Sequence, residues 1–110
     1  MNLMSANFRK TLFPLSAAYD QAWIKQNSLG ENVLYNLESL TEIMDFKEGM
    51  RVLDLGCGKV VSAIFLAKEF GVEVWAADQY IAPSENYRRV KEMNCEHSVY
   101  PLKLNAKELP

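Results

Sequence analysis

Histidine is almost missing from this chain of 110 residues: His97 is the only one, and cysteine occurs just twice, as Cys57 and Cys95. One imidazole and two scattered thiols give no Cys/His cluster with metal-ligand spacing, so no metal is expected, and no disulfide framework either. Two free thiols in a reducing cytoplasm are the expectation. Positive charge is not in excess: 12 Lys and Arg stand against 14 Asp and Glu, for a net charge of -2. Nothing here selects a nucleic-acid backbone as partner. No run approaches the roughly 18 apolar residues that span a bilayer. The opening MNLMSANFRKTLFPL has no apolar core of the kind a secretory signal needs. Repeats, low-complexity tracts and an obvious nucleophile–base pair are also lacking. What is present is an ordinary globular composition, 49% hydrophobic and 24% charged, with length for one domain.

The chain divides by rhythm. Residues 1–48 read as helical. Pro14 and Ser16 look like a helix start, since proline suits the first turn and serine caps free N–H groups. The segment from Leu12 to about Asn27 then places Tyr19, Ala22, Trp23 and Gln26 on one face. A second helix, about Glu31 to Phe46, carries Val33, Leu34, Leu37, Leu40 and Met44 as an apolar stripe. After the turn Lys47-Glu48-Gly49 the pattern becomes β-α-β-α-β. RVLDLGC reads as a strand and Lys59 to Phe70 as a helix with Gly71 just past its end. VEVWAAD is a second strand. Pro83-Ser84 opens a helix with Tyr87, Val90 and Met93 on its apolar face, Arg88, Arg89 and Lys91 on its wet face, and Asn94 near its end. SVYPLKLN is a third strand, at an edge because Pro101 lacks a ladder donor. Strands alternating with helices imply an α/β fold with a parallel sheet.

The stretch VLDLGCGKVV carries the chemistry. A strand that runs into glycines and then a helix lets a backbone turn tightly and approach a ligand closely. The dinucleotide fingerprint G-x-G-x-x-G fails, because Val61 occupies its third glycine position and Asp54 lies inside the strand. Asp78 closes the second strand, where a carboxylate can accept from both hydroxyls of a ribose. Asn105 closes the third.

These three motifs, in this order, resemble the class I S-adenosylmethionine-dependent methyltransferases over about Gly49 to Pro110. VLDLGCGKV is similar to their glycine-rich first motif, VEVWAAD to the strand ending in a ribose-binding acid, and LNAKELP to their D-A-x-x-L-P motif. The resemblance implies a partial Rossmann-like methyltransferase fold: residues 1–48 as a helical cap, and residues 49–110 as a truncated cofactor-binding βαβαβ unit with sheet order 3-2-1, one structural domain overall. It also implies S-adenosylmethionine as cofactor. Gly56, Cys57 and Gly58 would pass close to its methionine part, Asp54 would hold its amino end, and Asp78 would take the ribose. Asn105 and the Ala106 N–H would meet the adenine edge. Gln79 stands where the family places an apolar residue against adenine, Asn105 replaces the usual aspartate, and Val60 replaces the last motif glycine. A β-branched side chain there could narrow the space for the methionine tail and reduce affinity. Tyr19 is a candidate for the methionine carboxylate, with a core aromatic as the competing reading. Cys57 beside a helix start could have a lowered pKa, against a simple small residue in a tight turn. His97 reads as an exposed or turn residue.

The family's fold has seven strands, of which this chain carries the first three. The expectation is therefore the cofactor-binding part of a small-molecule methyltransferase, inactive alone, in the cytoplasm. The alternative is a non-catalytic or degenerate module for adenosine-ligand binding or assembly. Without a fourth strand, the first strand is an open edge and one sheet face is bare, which points to a homodimer.

Overall fold

The computed structural model describes residues 12–28, 33–105 and 107. Among the described residues three short helices lead, α1 (Pro14–Ala17), α2 (Gln21–Asn27) and α3 (Val33–Thr41). The β-α-β-α-β unit follows as β1 (Arg51–Leu55), α4 (Val61–Phe70), β2 (Glu73–Asp78), α5 (Pro83–Glu92) and β3 (Val99–Lys103).

The single helix expected over Leu12 to Asn27 is two helices. Asp20 breaks it: its carboxylate accepts from the Ala22 and Trp23 N–H groups at 3.0 and 3.3 Å and starts α2 afresh. Ser16 is not a cap. Its hydroxyl points inward, 2.6 Å from the Glu38 carboxylate and 3.1 Å from the Leu34 carbonyl, with one proton between the two acceptors. The buried Glu38 also accepts the Leu15 and Ser16 N–H groups, so α3 caps α1 from the side. Helix α3 stops at Thr41 rather than Phe46, and of its expected stripe Leu40 and Met44 are exposed while Leu34 is buried.

All three strands are parallel, in the order β1-β2-β3, which is the expected 3-2-1 read from the other edge. Arg51 to Leu55 pair with Glu73 to Ala77, and Val74 to Asp78 with Val99 to Lys103. Pro101 sits on edge strand β3, where its missing donor costs nothing. Helices α4 and α5 pack on the sheet face that carries Val74, Ala76 and Val99, all wholly buried with Ile64, Phe65 and Val90. Among the described residues no helix covers the other face: Leu53 and Leu55 are exposed, and the rings of Trp75 and Tyr100 lie 4.9 Å apart across it.

Two local expectations change. Helix α4 starts at Val61, and Val60 precedes it in the left-handed region at φ 60° with its side chain fully buried in the core. On α5 the inner face is Asn86, Arg89 and Val90, while Tyr87 is exposed beneath the Lys91 ammonium. Arg89 is thus not on the wet face. The reason is its partners: Glu85 and Asn86 on its own helix and Asn27 outside it.

Candidate functional site

At the carboxyl end of a parallel sheet, strand ends and helix starts leave a crevice. Here β1 leads into Gly56, Cys57 and Gly58. The two glycines sit at φ 75° and 58°, which suits residues without a Cβ. The Gly56 and Cys57 N–H groups donate to the Ala77 carbonyl at 2.8 and 3.0 Å, so the loop folds back over the end of β2.

Asp78 fastens that fold. Its Oδ2 accepts the Gly58 N–H at 2.9 Å, and its Oδ1 accepts those of Tyr80 and Ile81 at 2.8 and 3.0 Å. Burial alone would raise its pKa, but these three donors outweigh burial and hold the carboxyl below its ordinary value. Three bonds leave one of about four acceptor sites open. The two-hydroxyl ribose grip expected of Asp78 is therefore half spent on the protein's own backbone.

Two cavities meet at Gly56. The larger, about 400 Å³, is lined by Leu55, Gly56, Asp78, Gln79, Tyr80, Leu104, Asn105 and Lys107. Its size lies within the range of about 300–1,000 Å³ usual for small-molecule sites. Asn105 lends its amide oxygen to the Lys107 N–H at 2.9 Å, which turns its NH₂ group into the free end. The smaller, about 190 Å³, lies on the other side of the loop, between Gly56-Cys57-Gly58-Lys59 and the end of α2 at Asn27 and Ser28. The Ser28 hydroxyl is buried and has no hydrogen-bond partner. A Cβ built on Gly56 would meet nothing within 4 Å, so the loop keeps open space at the junction.

The structure thus brings together Gly56, Cys57, Gly58, Asp78, Gln79 and Asn105. Asp54 lies behind the loop and lines neither cavity. Its Oδ2 is buried without a partner; burial raises its pKa, a Ser62 hydrogen bond lowers it and Asp78 raises it further, with a net upward shift. Ser62 itself lines the smaller cavity. Tyr19 is placed elsewhere: it lines neither cavity and packs on Phe65 at 5.7 Å between ring centres. Burial first, then Glu69 and Cys95, push its phenol upward. Its hydroxyl is unpartnered. Cys57 is no activated thiol, because burial, Asp54 and Asp78 push it up to about 12. Val60 does not crowd the loop, since its side chain points into the core. His97 is exposed in the turn before β3 and takes the Tyr100 hydroxyl on its carbonyl. Ala106 lies outside the described residues. Asn27, Ser28 and Lys59 were not singled out in the sequence; the first two join the site only because α2 folds back over the loop.

No family model matches the chain, and no curated protein matches it. Solved structures do. A SAM-dependent methyltransferase from Geobacter sulfurreducens, in complex with S-adenosyl-L-homocysteine, is 24% identical with a TM-score of 0.56, over 64% of this chain and 28% of that one. A SAM-dependent methyltransferase from Aquifex aeolicus is 25% identical with a TM-score of 0.61, over 84% of this chain and 50% of that one. The [4+2]-cyclase SpnF is 16% identical with a TM-score of 0.63, over 96% of this chain and 43% of that one. The chain spans half or less of the length of each. The crevice, the glycine loop and the sheet order together define the class I S-adenosylmethionine-dependent methyltransferase-like fold. This chain carries three strands of it.

Proposed function

We propose that the chain binds S-adenosylmethionine, with the adenosine in the larger cavity and the amino-acid end crossing Gly56 into the smaller one, and that it serves methyl transfer to a small-molecule acceptor. The observation that carries this reading is Gly56: it lines both cavities, and open space lies where its Cβ would stand. An ionised Asp78 in the wall and unpaired polar atoms on Ser28 and Asp54 fit a ligand with hydroxyls and an ammonium. Such a cofactor supplies a methyl group on a cationic sulfur, which departs as a neutral thioether when an acceptor attacks in line. The protein's share is placement and electrostatics. Asp78 offers its remaining acceptor site to one ribose hydroxyl, and Asn105 offers its NH₂ to a ring nitrogen. The unpaired Asp54 oxygen, behind the loop, attracts positive charge across it. No residue is asked to move a proton. Binding of an adenosine ligand without transfer is the second reading, favoured by a neighbour named as a [4+2]-cyclase.

Calorimetric titration with S-adenosylhomocysteine tests the proposal. Asp78→Ala is expected to weaken binding by about 1.5–3 kcal/mol, the worth of a hydrogen bond to a charged group. Gly56→Ala is expected to abolish it while costing only about 1–2 kcal/mol of left-handed strain in the fold. Undiminished binding by folded Gly56→Ala would refute the placement.

A further inference from the structure

The helix face that the sequence assigned to water holds a buried polar relay. Asn86 is 1% exposed and Arg89 is 8% exposed. The Arg89 Nη1 donates to the Asn86 Oδ1 at 2.8 Å and to the Glu85 carboxylate at 3.0 Å, and its Nε donates to the Asn27 Oδ1 at 2.9 Å. Arginine has donors only, so the Asn86 atom facing it must be the oxygen. The amide nitrogen is thereby turned toward the loop, where it donates to the Gly58 carbonyl at 2.8 Å and lies 3.9 Å from the Cys57 sulfur. The Gly58 N–H is already held by Asp78. Gly58 is thus gripped at its N–H from β2 and at its carbonyl from α5. The same guanidinium reaches Asn27, which lines the smaller cavity and donates on to the Trp23 carbonyl at 2.9 Å.

The geometry points to Arg89 and Asn86 as positioning residues for the ligand loop: Arg89 orients the Asn86 amide, Asn86 sets Gly58, and Asn27 sets the opposite wall from the same cation. This rests on the adenosine-binding reading for its consequence, but not for its geometry. A simple structural strut would need only packing. Here a buried charge is retained and two of its three bonds go to Asn27, in one wall of the cavity, and to Asn86, which holds Gly58 in the other, although a buried charge is costly unless every bond is made. Glu85 supplies the counter-charge from the same helix.

Asn86→Asp separates positioning from stability. Aspartate keeps the shape and keeps an oxygen for Arg89, now as an ion pair, but it removes the donor to Gly58. Hydrogen exchange of the full chain, read at amides 56–60 and at the α4 amides 64–67, needs no ligand. Exchange in the loop is expected to rise about tenfold while α4 is unchanged, and S-adenosylhomocysteine affinity is expected to fall about tenfold, as for loss of one buried hydrogen bond. Arg89→Lys, which cannot bridge Asn27 and Asn86 together, is expected to act in the same direction. Unchanged loop exchange, or an equal rise in loop and α4, would overturn the proposal. If the unaltered chain binds no S-adenosylhomocysteine, the adenosine reading falls and the exchange measurement still decides the relay.

Discussion

Replacing Asp78 by asparagine tests how the loop is held. The carboxylate spends one oxygen on Gly58 and the other on Tyr80 and Ile81. Asparagine has one oxygen, and its best placement serves Tyr80 and Ile81, leaving an NH₂ group against the Gly58 N–H. One charge-assisted bond to a half-buried donor is then lost, worth about 1.5–3 kcal/mol, and the two that remain lose their charge. The expected destabilisation is about 2–4 kcal/mol, or about 9–17 °C in melting temperature for a chain of this length. The pH dependence has a fixed sign. Burial opposes ionisation, the three donors favour it more strongly, and the folded pKa is lowered from its ordinary 3.8. The contribution is therefore complete above the unfolded value near 3.8 and fades as the pH falls through the lower folded value. Urea unfolding of both proteins between pH 7 and pH 2 reads this directly. The gap between them should be constant down to about pH 5 and should close below pH 4. Equal stability at pH 7, or a gap that persists undiminished at pH 2, would refute the three-donor account.

Asp54→Asn is expected to stabilise the ligand-free chain at pH 7, because a carboxylate raised mainly by burial loses stability as the pH rises through its folded value; urea midpoints at pH 4 and pH 7 check the sign. The same substitution should weaken S-adenosylhomocysteine binding. Cys57, pushed up to about 12, should resist alkylation at pH 8 in the folded chain and react at once in urea, as mass spectrometry can count. Val60→Gly relieves left-handed strain but empties a fully buried site, so a net loss of about 1–2 kcal/mol is expected in unfolding experiments, with no tightening of ligand binding. The bare sheet face with Leu53, Leu55 and Trp75 predicts self-association at micromolar concentration; light scattering that finds only monomer would remove that expectation.

Local pattern made the parallel unit legible. Gly56, Gly58, Asp78, the edge Pro101 and the closing Gly71 each announce a backbone need that neighbours in sequence share. The helical segment was less legible for an equally local reason: Asp20 caps better than it continues a helix, and apolar periodicity alone passed over it. Arg89 and Ser16 failed differently. Both are polar groups whose burial is decided by distant partners, Asn27 in one case and Glu38 in the other, and nothing within a helical turn reports those partners. For Tyr19 the sequence left two readings open, ligand contact or core aromatic, and its packing on Phe65 fits the core one; local pattern could not separate them because its place depends on how α1 and α2 fold back around Asp20.

The reach of these bonds has a consequence in time. Within the sheet, each strand finds its partner one helix further along the chain, so loop closure is cheap and the β-α-β-α-β unit can assemble from near contacts. The helical segment is fastened by the longest links: Asn27 to Arg89 across 62 positions and the Trp23 indole to Glu92 across 69. Those links require α5 to be in place first. Docking of α2 is therefore expected late in folding, and with it the smaller cavity, which has one wall on each side of that junction.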